Sequence, residues 1–418
     1  MRSRLVLPHS SASTFSITAS LGIIYFVWAS TYVGIAFMVE EIPPHTGSGF
    51  RFVTAGLLIS LLMTTPHLRD DLASMPAYKA GATPKAKPGV ETFKVSANEN
   101  PYAPIPAIVD AITKAAQSVQ RYPDPASIRL RTKLANKYKV GIENIQVGTG
   151  SVAVLTQLIQ ASSTVGNEVI FAWRSFEAYP IITKVAGATP VMIPLTNTFE
   201  HDLDAMAKAV TSKTSCILLC SPNNPTGPAI KKEAFLKFIN QIPETVLVVL
   251  DEAYTEFVRD VLAVEGLRDA WGKKNVAILR TFSKAYGMAG LRVGFCIAQP
   301  HVIETLNKVA LTFGVTNLAE EAGLAALDHE AELMARINTL VEERTRVVNE
   351  LTKQGWKIPT ADGNFIWLDI KEKAADFATK CDEVGLSVRM FANDGVRITI
   401  AEKTANDRLI EVALKFRD

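Results

Sequence analysis

The chain has 418 residues, too many for one ordinary hydrophobic core, so more than one domain is expected. Its 44 Lys and Arg residues nearly balance its 42 Asp and Glu residues, which excludes the broad basic surface of a nucleic-acid-binding protein. The four cysteines form no C-x-x-C pair and the six histidines lack zinc spacing, so buried free thiols are expected and a zinc site is not.

The first 66 residues differ in character from the rest of the chain. Residues 14–39, with the run "LGIIYFVWASTYVGIAFMV", carry no charge and are long enough to cross a bilayer as a helix, and a shorter apolar run follows Arg51. Residues 18–64 resemble the first helical hairpin of a drug/metabolite transporter. Two interpretations of residues 1–66 stay open. They form a membrane tether through residues 14–64, or they were added by a mis-assigned start codon.

After Pro66 the pattern is that of an α/β protein. Short apolar runs alternate with helical patterns such as Ser151–Ser162 and Lys231–Ile239. Because the runs are apolar on both faces, they predict a buried, mostly parallel, doubly wound sheet. The seven runs predicted to be strands are 144–148, 168–173, 189–195, 215–220, 245–250, 276–281 and 292–298.

The domain boundaries follow from this change in pattern. Residues 67–103 are predicted to be a linker and an N-terminal arm that joins the small domain, and residues 104–312 form the large domain with the sheet. Residues 313–418 form a smaller α+β domain, which begins with one long helix over about 319–354.

Polar motifs follow the predicted strands, where ligands bind in such sheets. "GTGS" opens a helix whose free amides favour an anion, and "SPNNPTG" is a rigid turn that projects asparagine side chains. "DEAY" places Asp251 at the end of an apolar strand, where a carboxylate is costly without a cation. "SKAYGMAGLR" contributes Lys284 and Arg292. Alone, Lys284 would be interpreted as a surface lysine.

Together these groups meet the needs of one ligand, pyridoxal 5′-phosphate, a planar phosphorylated pyridine that bears an aldehyde. Lys284 can form a Schiff base with the aldehyde, and Asp251 can keep the ring nitrogen protonated. Phe176 can stack on the ring. The predicted contacts to the phosphate and to the ring oxygen are Ser151, Val152, Ser283, Arg292, Asn224 and Tyr254.

From about His67 to Asp418 the chain resembles the fold-type I, pyridoxal-phosphate-dependent aminotransferases of class I/II. The motifs "SPNNPTG", "DEAY" and "SKAYGMAGLR" carry this resemblance. "SANENPY", "RYPDP" and "VRITI" are similar to the histidinol-phosphate aminotransferase branch, and "EVIFAWRSFEAYPI" resembles its aromatic amino acid subgroup. Val152 and Ala153 stand where histidinol-phosphate enzymes usually carry an acidic pair, which disfavours that substrate.

The resemblance implies further site residues. Arg397 matches the arginine that binds the substrate α-carboxylate, and Arg389 is a second candidate, with a surface salt bridge as its alternative role. Tyr122 matches a tyrosine that reaches the cofactor phosphate of the neighbouring subunit, which implies a homodimer with shared sites. Asn98 and Tyr102 match the segment that lines the substrate entrance.

The implied reaction transfers the amino group of an aromatic L-amino acid to 2-oxoglutarate, in the cytoplasm, with Lys284, Asp251 and Tyr254 as the catalytic residues. Histidinol-phosphate transamination is the nearest alternative. Two further alternatives are a lyase or decarboxylase that uses the same cofactor, and a membrane protein with a non-catalytic soluble domain.

Overall fold

The computed structural model describes residues 18, 21–26, 29, 33, 52–57, 69–73, 75–78, 80–84 and 88–417. The chain divides into two compact units, Met1–Asp70 and Asp71–Asp418. In the first unit, residues 21–26 and 52–57 are helical. No helix within the described ranges combines the length and apolar character needed to cross a bilayer. Most of the two apolar runs that predicted a membrane tether lies outside the described residues.

The second unit is built around a seven-stranded sheet, as the sequence predicted. Its strand order is β2-β8-β7-β6-β5-β3-β4; β8 is antiparallel to both neighbours and the other pairs are parallel. The central strands are buried on both faces, which accounts for their continuous apolar runs. The strands are β2 (Ile145–Gly148), β3 (Glu168–Trp173), β4 (Thr189–Pro194), β5 (Thr214–Cys220), β6 (Leu247–Asp251), β7 (Val276–Thr281) and β8 (Gly294–Ala298).

Two smaller sheets hold the C-terminal part of the chain. A three-stranded antiparallel sheet has the order β11-β12-β9, and β1 pairs in parallel with β10. Because β1 comes from the start of this unit, that pairing joins the N-terminal arm to the C-terminal part. These strands are β1 (Phe93–Lys94), β9 (Phe365–Leu368), β10 (Leu386–Ser387), β11 (Arg389–Phe391) and β12 (Gly395–Thr399).

Helices cover the sheets and connect their strands. Up to β8 they are α1 (Asp70–Ala73), α2 (Pro106–Ala116), α3 (Ile128–Tyr138), α4 (Ser151–Ser162), α5 (Ala178–Val185), α6 (Leu203–Lys208), α7 (Lys232–Ile239) and α8 (Gly266–Ala270). After β8 they are α9 (Pro300–Val309), α10 (Asn317–Asp328), α11 (Glu330–Lys353), α12 (Ala374–Glu383) and α13 (Lys403–Arg417). Single 3₁₀ turns lie at Ile142–Asn144, Thr255–Phe257, Ala289–Leu291 and Lys371–Lys373.

One helix prediction was wrong. The long helix expected over 319–354 is two helices, α10 and α11, which meet at His329. His329 has φ −112° and ψ 26°, outside the helical region, and it ends one helix and begins the next. Neither glycine nor proline marks this break, so it could not be recognised from the residue pattern. The predicted division at residues 312 and 313 stays a prediction, because residues 71–418 form one compact unit.

Candidate active site

The candidate site lies at the carboxyl edge of the parallel strands. Asp251 is the last residue of β6, and its neighbours across the sheet are Cys220 at the end of β5 and Leu279 in β7. The chain leaves these strands into the turn after Cys220, the segment 252–254 and the segment 282–284. Parallel pairing therefore brings the three motifs that sequence analysis selected to one place.

Lys284 is a partly buried lysine with no carboxylate partner among the described residues. Its Nζ donates a hydrogen bond to the carbonyl oxygen of Ala97 at 3.1 Å and lies 5.8 Å from the centroid of the Tyr254 ring. Burial, and after it the charges of Arg397 and Arg292, lower the pKa of Lys284 to about 7. A lysine with such a pKa has a substantial neutral fraction near pH 7, which suits it to act as a nucleophile and base.

Asp251 is a buried carboxylate held by neutral groups. The Tyr179 hydroxyl donates to Asp251 Oδ2 at 2.8 Å, and the backbone N–H of Ala253 donates to Oδ1 at 3.3 Å. Burial raises the pKa of Asp251 to about 6. No ion pair of Asp251 occurs within the described part of the chain. Tyr179 is a site residue that the sequence analysis missed, although it lies three positions after Phe176.

Arg397 is a buried cation that also has no carboxylate partner in the described residues. Its Nη1 donates to Asn224 Oδ1 and its Nη2 donates to the Ser96 carbonyl oxygen, both at 2.5 Å. Its Nε is buried and has no acceptor. Burial lowers the pKa of Arg397, because desolvation disfavours its charge. Asn224 and Arg397, which lie 173 positions apart, are thus in direct contact.

Tyr254 and Asn98 form a hydrogen-bonded pair in the site. Asn98 Nδ2 donates to the Tyr254 hydroxyl at 3.0 Å, and the Thr399 hydroxyl donates to Asn98 Oδ1 at 3.1 Å. Burial raises the pKa of Tyr254. Asn98 is fully buried in this chain, and its place in the segment that lines the substrate entrance stays a prediction. Tyr102 is 37% exposed, as a residue at an entrance can be.

An anion cradle forms where α4 begins. The first turn of α4, with Ser151 and Val152, presents backbone N–H groups that have no acceptor within the helix. Arg292 Nη1 donates to Ser283 Oγ at 3.2 Å. Gly150 has φ +80°, and a Cβ there would lie 2.3 Å from Arg292 Nη2. The glycine therefore lets the guanidinium approach the start of the helix while it donates to Ser283.

Phe176 packs against Tyr179, the tyrosine that donates a hydrogen bond to Asp251. Its ring meets the Tyr179 ring edge to face, with the centroids 5.6 Å apart, and it makes a similar contact with Tyr78 at 6.3 Å. Tyr78 belongs to the N-terminal arm, which the sequence analysis did not connect with this side of the site. A ring in this position can cover one face of a planar ligand.

Two other predicted residues lie apart from this cluster. Arg389 is the Cα partner of Arg397 in the β11–β12 pair, but its guanidinium forms an ion pair with Glu177 at 2.5 Å. Tyr122 is 81% exposed and stacks on Phe313, with ring centroids 4.7 Å apart. Among the described residues, no hydrogen bond joins Tyr122 to the other predicted site residues.

Comparisons with known proteins agree with this arrangement. A family model described as "Aminotransferase class I and II" matches residues 90–412. An aromatic amino acid aminotransferase from Streptomyces coelicolor is 49% identical over 85% of this chain and 98% of its own length. The corresponding protein from Thermobifida fusca is 45% identical over 84% of this chain and 97% of its own.

A solved structure shares the fold. Histidinol-phosphate aminotransferase from Sinorhizobium meliloti, crystallised in complex with pyridoxal 5′-phosphate, superposes with a TM-score of 0.75. It is 26% identical, and the match covers 85% of this chain and 98% of that one. The family match gives no support to the transporter-like interpretation of residues 18–64.

The residues present here fit pyridoxal 5′-phosphate. Asp251 is a buried acid without a cation, Lys284 is a lysine of lowered pKa, and the cradle at Gly150 keeps a guanidinium beside a helix N-terminus. A protonated pyridine, an aldehyde and a phosphate would complete these three positions. The fold, the site and the family match over 90–412 together show that the chain belongs to the class I and II aminotransferases, which depend on pyridoxal 5′-phosphate.

Proposed function

We propose that this protein transfers the amino group of an aromatic L-amino acid to 2-oxoglutarate, which yields an aromatic 2-oxo acid and L-glutamate. One observation carries the reaction class: Lys284, Asp251 and Arg397 are charged groups in one site, and none has an oppositely charged partner among the described residues. The aromatic substrate class is supported by the relatives from Streptomyces coelicolor and Thermobifida fusca.

The cofactor, when bound, supplies an electron sink that stabilises negative charge at the substrate α-carbon. Lys284 Nζ is the group that removes the proton from that carbon and later returns a proton. The lowered pKa of Lys284, about 7, supports this role because a general base works best with a pKa near the operating pH. The hydrogen bond from Nζ to the Ala97 carbonyl oxygen gives the amine a defined position.

Asp251 holds a proton on the pyridine nitrogen by supplying a negative charge. Its pKa, raised to about 6 by burial, falls when a cation lies beside it, so binding keeps it ionised. The Tyr179 hydroxyl orients the carboxylate. Asn224 and Tyr254 are proposed to donate hydrogen bonds to the ring oxygen, and Phe176 to cover a ring face.

The phosphate is proposed to lie between the first turn of α4, with Ser151 and Val152, and the Ser283–Arg292 pair. Tyr122 is exposed and does not join this cradle within its own chain. We propose that it serves the phosphate of a neighbouring subunit, so that the enzyme is a homodimer with shared sites. The 81% exposure of Tyr122 supports this proposal, because it leaves the ring accessible to a second subunit.

Arg397 is proposed to bind the α-carboxylate of the substrate. It already has two neutral acceptors, Asn224 and Ser96, and an incoming carboxylate provides the charge that these lack. Tyr102 is proposed to contact the substrate at the entrance of the site. Asn98 is proposed to act through its hydrogen bond to the Tyr254 hydroxyl.

The site must accept both an aromatic ring and the second carboxylate of glutamate. A cavity of about 240 Å³ is lined by Tyr78, Trp173, Ile181 and Glu177 but by none of Lys284, Asp251 and Arg397. Arg389 pairs with Glu177 at its edge. We propose that Arg389 exchanges Glu177 for the second carboxylate when glutamate or 2-oxoglutarate binds, and keeps Glu177 when the ring binds.

The catalytic unit is proposed to begin near Leu68 and to work in the cytoplasm. The two relatives described above match 84–85% of this chain but nearly all of their own length. The arm 67–103, the large domain 104–312 and the small domain 313–418 are proposed to be its parts. A protein that begins at Leu68 should therefore bind cofactor and turn over like the full chain. Loss of cofactor on truncation would contradict this boundary.

The decisive experiment compares substrates on the purified, cofactor-loaded enzyme. Phenylalanine, tyrosine, tryptophan and histidinol phosphate are offered as donors to 2-oxoglutarate, and phenylpyruvate and imidazole-acetol phosphate as acceptors from glutamate. We expect kcat/KM for phenylpyruvate to exceed that for imidazole-acetol phosphate at least tenfold. The reverse order would make the protein a histidinol-phosphate aminotransferase, the activity of the Sinorhizobium meliloti structure. Release of carbon dioxide from the donor would reveal a decarboxylase.

A further inference from the structure

Two residues of β12 contact the groups that are proposed to bind the ring oxygen of the cofactor. Arg397 and Thr399 lie two positions apart in this strand, so their side chains leave the same face of the three-stranded sheet. Arg397 contacts Asn224 directly, whereas Thr399 contacts Asn98, which in turn contacts Tyr254. The strand therefore reaches one proposed donor through one side chain and the other through two.

The directions of the hydrogen bonds around Thr399 follow from one fixed donor. The backbone N–H of Asn98 donates to Thr399 Oγ1 at 2.9 Å, so the Thr399 hydroxyl accepts this bond and keeps its own proton to donate. Its acceptor among the described residues is Asn98 Oδ1 at 3.1 Å. Thr399 is 1% exposed, and a hydroxyl proton without an acceptor would be costly there.

This arrangement determines which end of the Asn98 amide faces Tyr254. With Oδ1 bonded to Thr399, Nδ2 lies 3.0 Å from the Tyr254 hydroxyl oxygen. An amide nitrogen only donates, so the tyrosine oxygen accepts and its single proton points elsewhere. No acceptor for that proton occurs among the described residues. Tyr254 is 3% exposed, so an acceptor atom on a bound ligand would satisfy a buried donor.

Backbone bonds hold Asn98 and Thr399 beside each other. Asn98 has φ 54°, in the left-handed region that asparagine adopts more readily than most residues. Asn364 Nδ2 donates to the Asn98 carbonyl oxygen at 3.1 Å, and the Thr399 N–H donates to the Val95 carbonyl oxygen at 2.9 Å. The position of Asn98 thus has several supports, while the Thr399 hydroxyl sets the orientation of its amide.

We propose that Thr399 is a positioning residue, which turns the Asn98 amide so that the Tyr254 hydroxyl donates its proton to the ring oxygen of the cofactor. This inference rests on the proposed function, in which Tyr254 contacts that oxygen. A donor there stabilises negative charge on the oxygen, and it therefore lowers the pH at which the Schiff base with Lys284 loses its proton. Thr399 acts on that pH through Asn98 and Tyr254.

Thr399→Val tests this role, because it removes the hydroxyl and keeps the branched shape. The Asn98 amide is then free to turn, and Tyr254 can donate to Oδ1 in place of the cofactor. An absorbance titration of the cofactor-loaded variant should give a midpoint about one pH unit above that of the wild type, as expected for the loss of one hydrogen bond. Thr399→Ser, which keeps the hydroxyl, should restore the wild-type midpoint. Thr214→Val, at a buried threonine that begins β5, is the matched control and should leave it unchanged.

Tyr254→Phe shows whether the effect passes through the tyrosine hydroxyl. This variant should raise the midpoint by itself, and Thr399→Val should add nothing to it, because no hydroxyl proton is left to direct. The charges of Lys284, Arg397 and Asp251 are the same in all these proteins, so the comparison isolates the hydroxyl. An equal rise with and without the tyrosine hydroxyl would mean that Thr399 acts through packing, and it would overturn the proposal.

Neutron diffraction from crystals of the wild-type, cofactor-loaded enzyme gives a test that needs no variant to fold. The deuterium on the Tyr254 hydroxyl should point to the ring oxygen, with Asn98 Nδ2 on the other side. A deuterium that points to Asn98, or an unchanged midpoint in folded Thr399→Val, would overturn this inference alone. A wild-type enzyme without a Schiff base on Lys284 would overturn the proposed function and this inference with it.

Discussion

Arg280 and Arg397 are both buried arginines, with exposures of 7% and 8%, but their surroundings differ. Arg280 forms an ion pair with Glu252 at 2.8 Å, whereas the hydrogen bonds of Arg397 within the described residues go to neutral oxygen atoms of Asn224 and Ser96. A buried charge without a counter-charge lowers stability. The difference supports a structural role for Arg280 and the proposed role of Arg397 in binding a ligand carboxylate.

The same contrast separates two consecutive carboxylates. Glu252 accepts hydrogen bonds from Arg280 and from the backbone N–H of Gly266, while the donors to Asp251 in the described part of the chain are a tyrosine hydroxyl and a backbone N–H. Both have a pKa raised by burial. The lesson is that burial alone does not identify a functional charge; the absence of an opposite charge does.

The most severe loss of activity is expected for Lys284→Ala. The variant lacks the amine that moves the α-proton, so transamination should fall by about 10⁴-fold. Cofactor should still bind, but borohydride reduction followed by peptide mapping should find no pyridoxyl group on the chain. In the wild-type enzyme the label should lie on Lys284. A label on another lysine in the wild type would contradict the assignment.

Asp251→Asn should mainly lower activity and Glu252→Gln should mainly lower stability, although the two residues are adjacent. Asp251→Asn removes the charge that holds the pyridine nitrogen protonated, so kcat should fall by about 10³-fold. Glu252→Gln should retain most of the activity of the folded enzyme but lower its stability by about 3–5 kcal/mol, because Arg280 loses its main partner. Steady-state kinetics and urea unfolding measure the two effects.

The pH dependence of the stability of the cofactor-free protein tests the same contrast between Asp251 and Glu252. The folded pKa of Asp251, about 6, is above its unfolded value, so this group lowers stability as pH rises from about 4 to 6. Asp251→Asn should therefore make the cofactor-free protein more stable than the wild type at pH 8, by up to about 3 kcal/mol, and equally stable at pH 4. A loss of stability at pH 8 would mean that Asp251 has a cation partner.

Much of the site could be predicted because its motifs directly follow strong strand signals. The apolar runs before Asp251 and Lys284 were recognisable, and parallel pairing then placed their ends together. The contacts between Arg397 and Asn224, and between Asn98 and Tyr254, join distant parts of the chain, and a single sequence does not show such pairs. The role of Tyr179 was missed because a tyrosine near a strand end is usually core.

The burial of Asn98 and the break at His329 were missed for a different reason. Asn98 has φ 54° and is held by Thr399 and Asn364, so its position depends on the C-terminal part of the chain. The break at His329 involves neither glycine nor proline, and the helical pattern continues on both sides of it. For Asn98, tertiary contacts, which local sequence does not encode, decide the result.

Arg397→Met and Arg280→Met test the two buried arginines directly. Arg397→Met should reduce kcat/KM for all amino acid and 2-oxo acid substrates by about 100-fold, since about 3 kcal/mol of carboxylate binding is lost. Its stability should change little, because no carboxylate is left unpaired. Arg280→Met leaves Glu252 buried without a cation and should cost about 3–5 kcal/mol of stability. An unchanged kcat/KM in Arg397→Met would place the substrate carboxylate elsewhere.

The smallest effect is expected for Tyr122, the proposed site residue that is exposed in its own chain. Tyr122→Phe keeps the ring that stacks on Phe313 and removes only the hydroxyl. A hydrogen bond to a charged phosphate is worth about 1.5 kcal/mol, so cofactor affinity should fall about tenfold. Tyr102→Phe, an exposed tyrosine in the other predicted segment, is the matched control and should leave cofactor affinity unchanged.

A heterodimer shows which subunit Tyr122 serves. One subunit carries Tyr122→Phe and the other Ser283→Ala, and two different affinity tags isolate the mixed dimer. If Tyr122 acts across the interface, one site combines an intact Ser283 with an intact Tyr122, and the other site loses both. Cofactor titration should then be biphasic, with half of the sites at wild-type affinity. Two sites that are both weakened about tenfold would mean that Tyr122 acts within its own chain, and the shared-site proposal would fail.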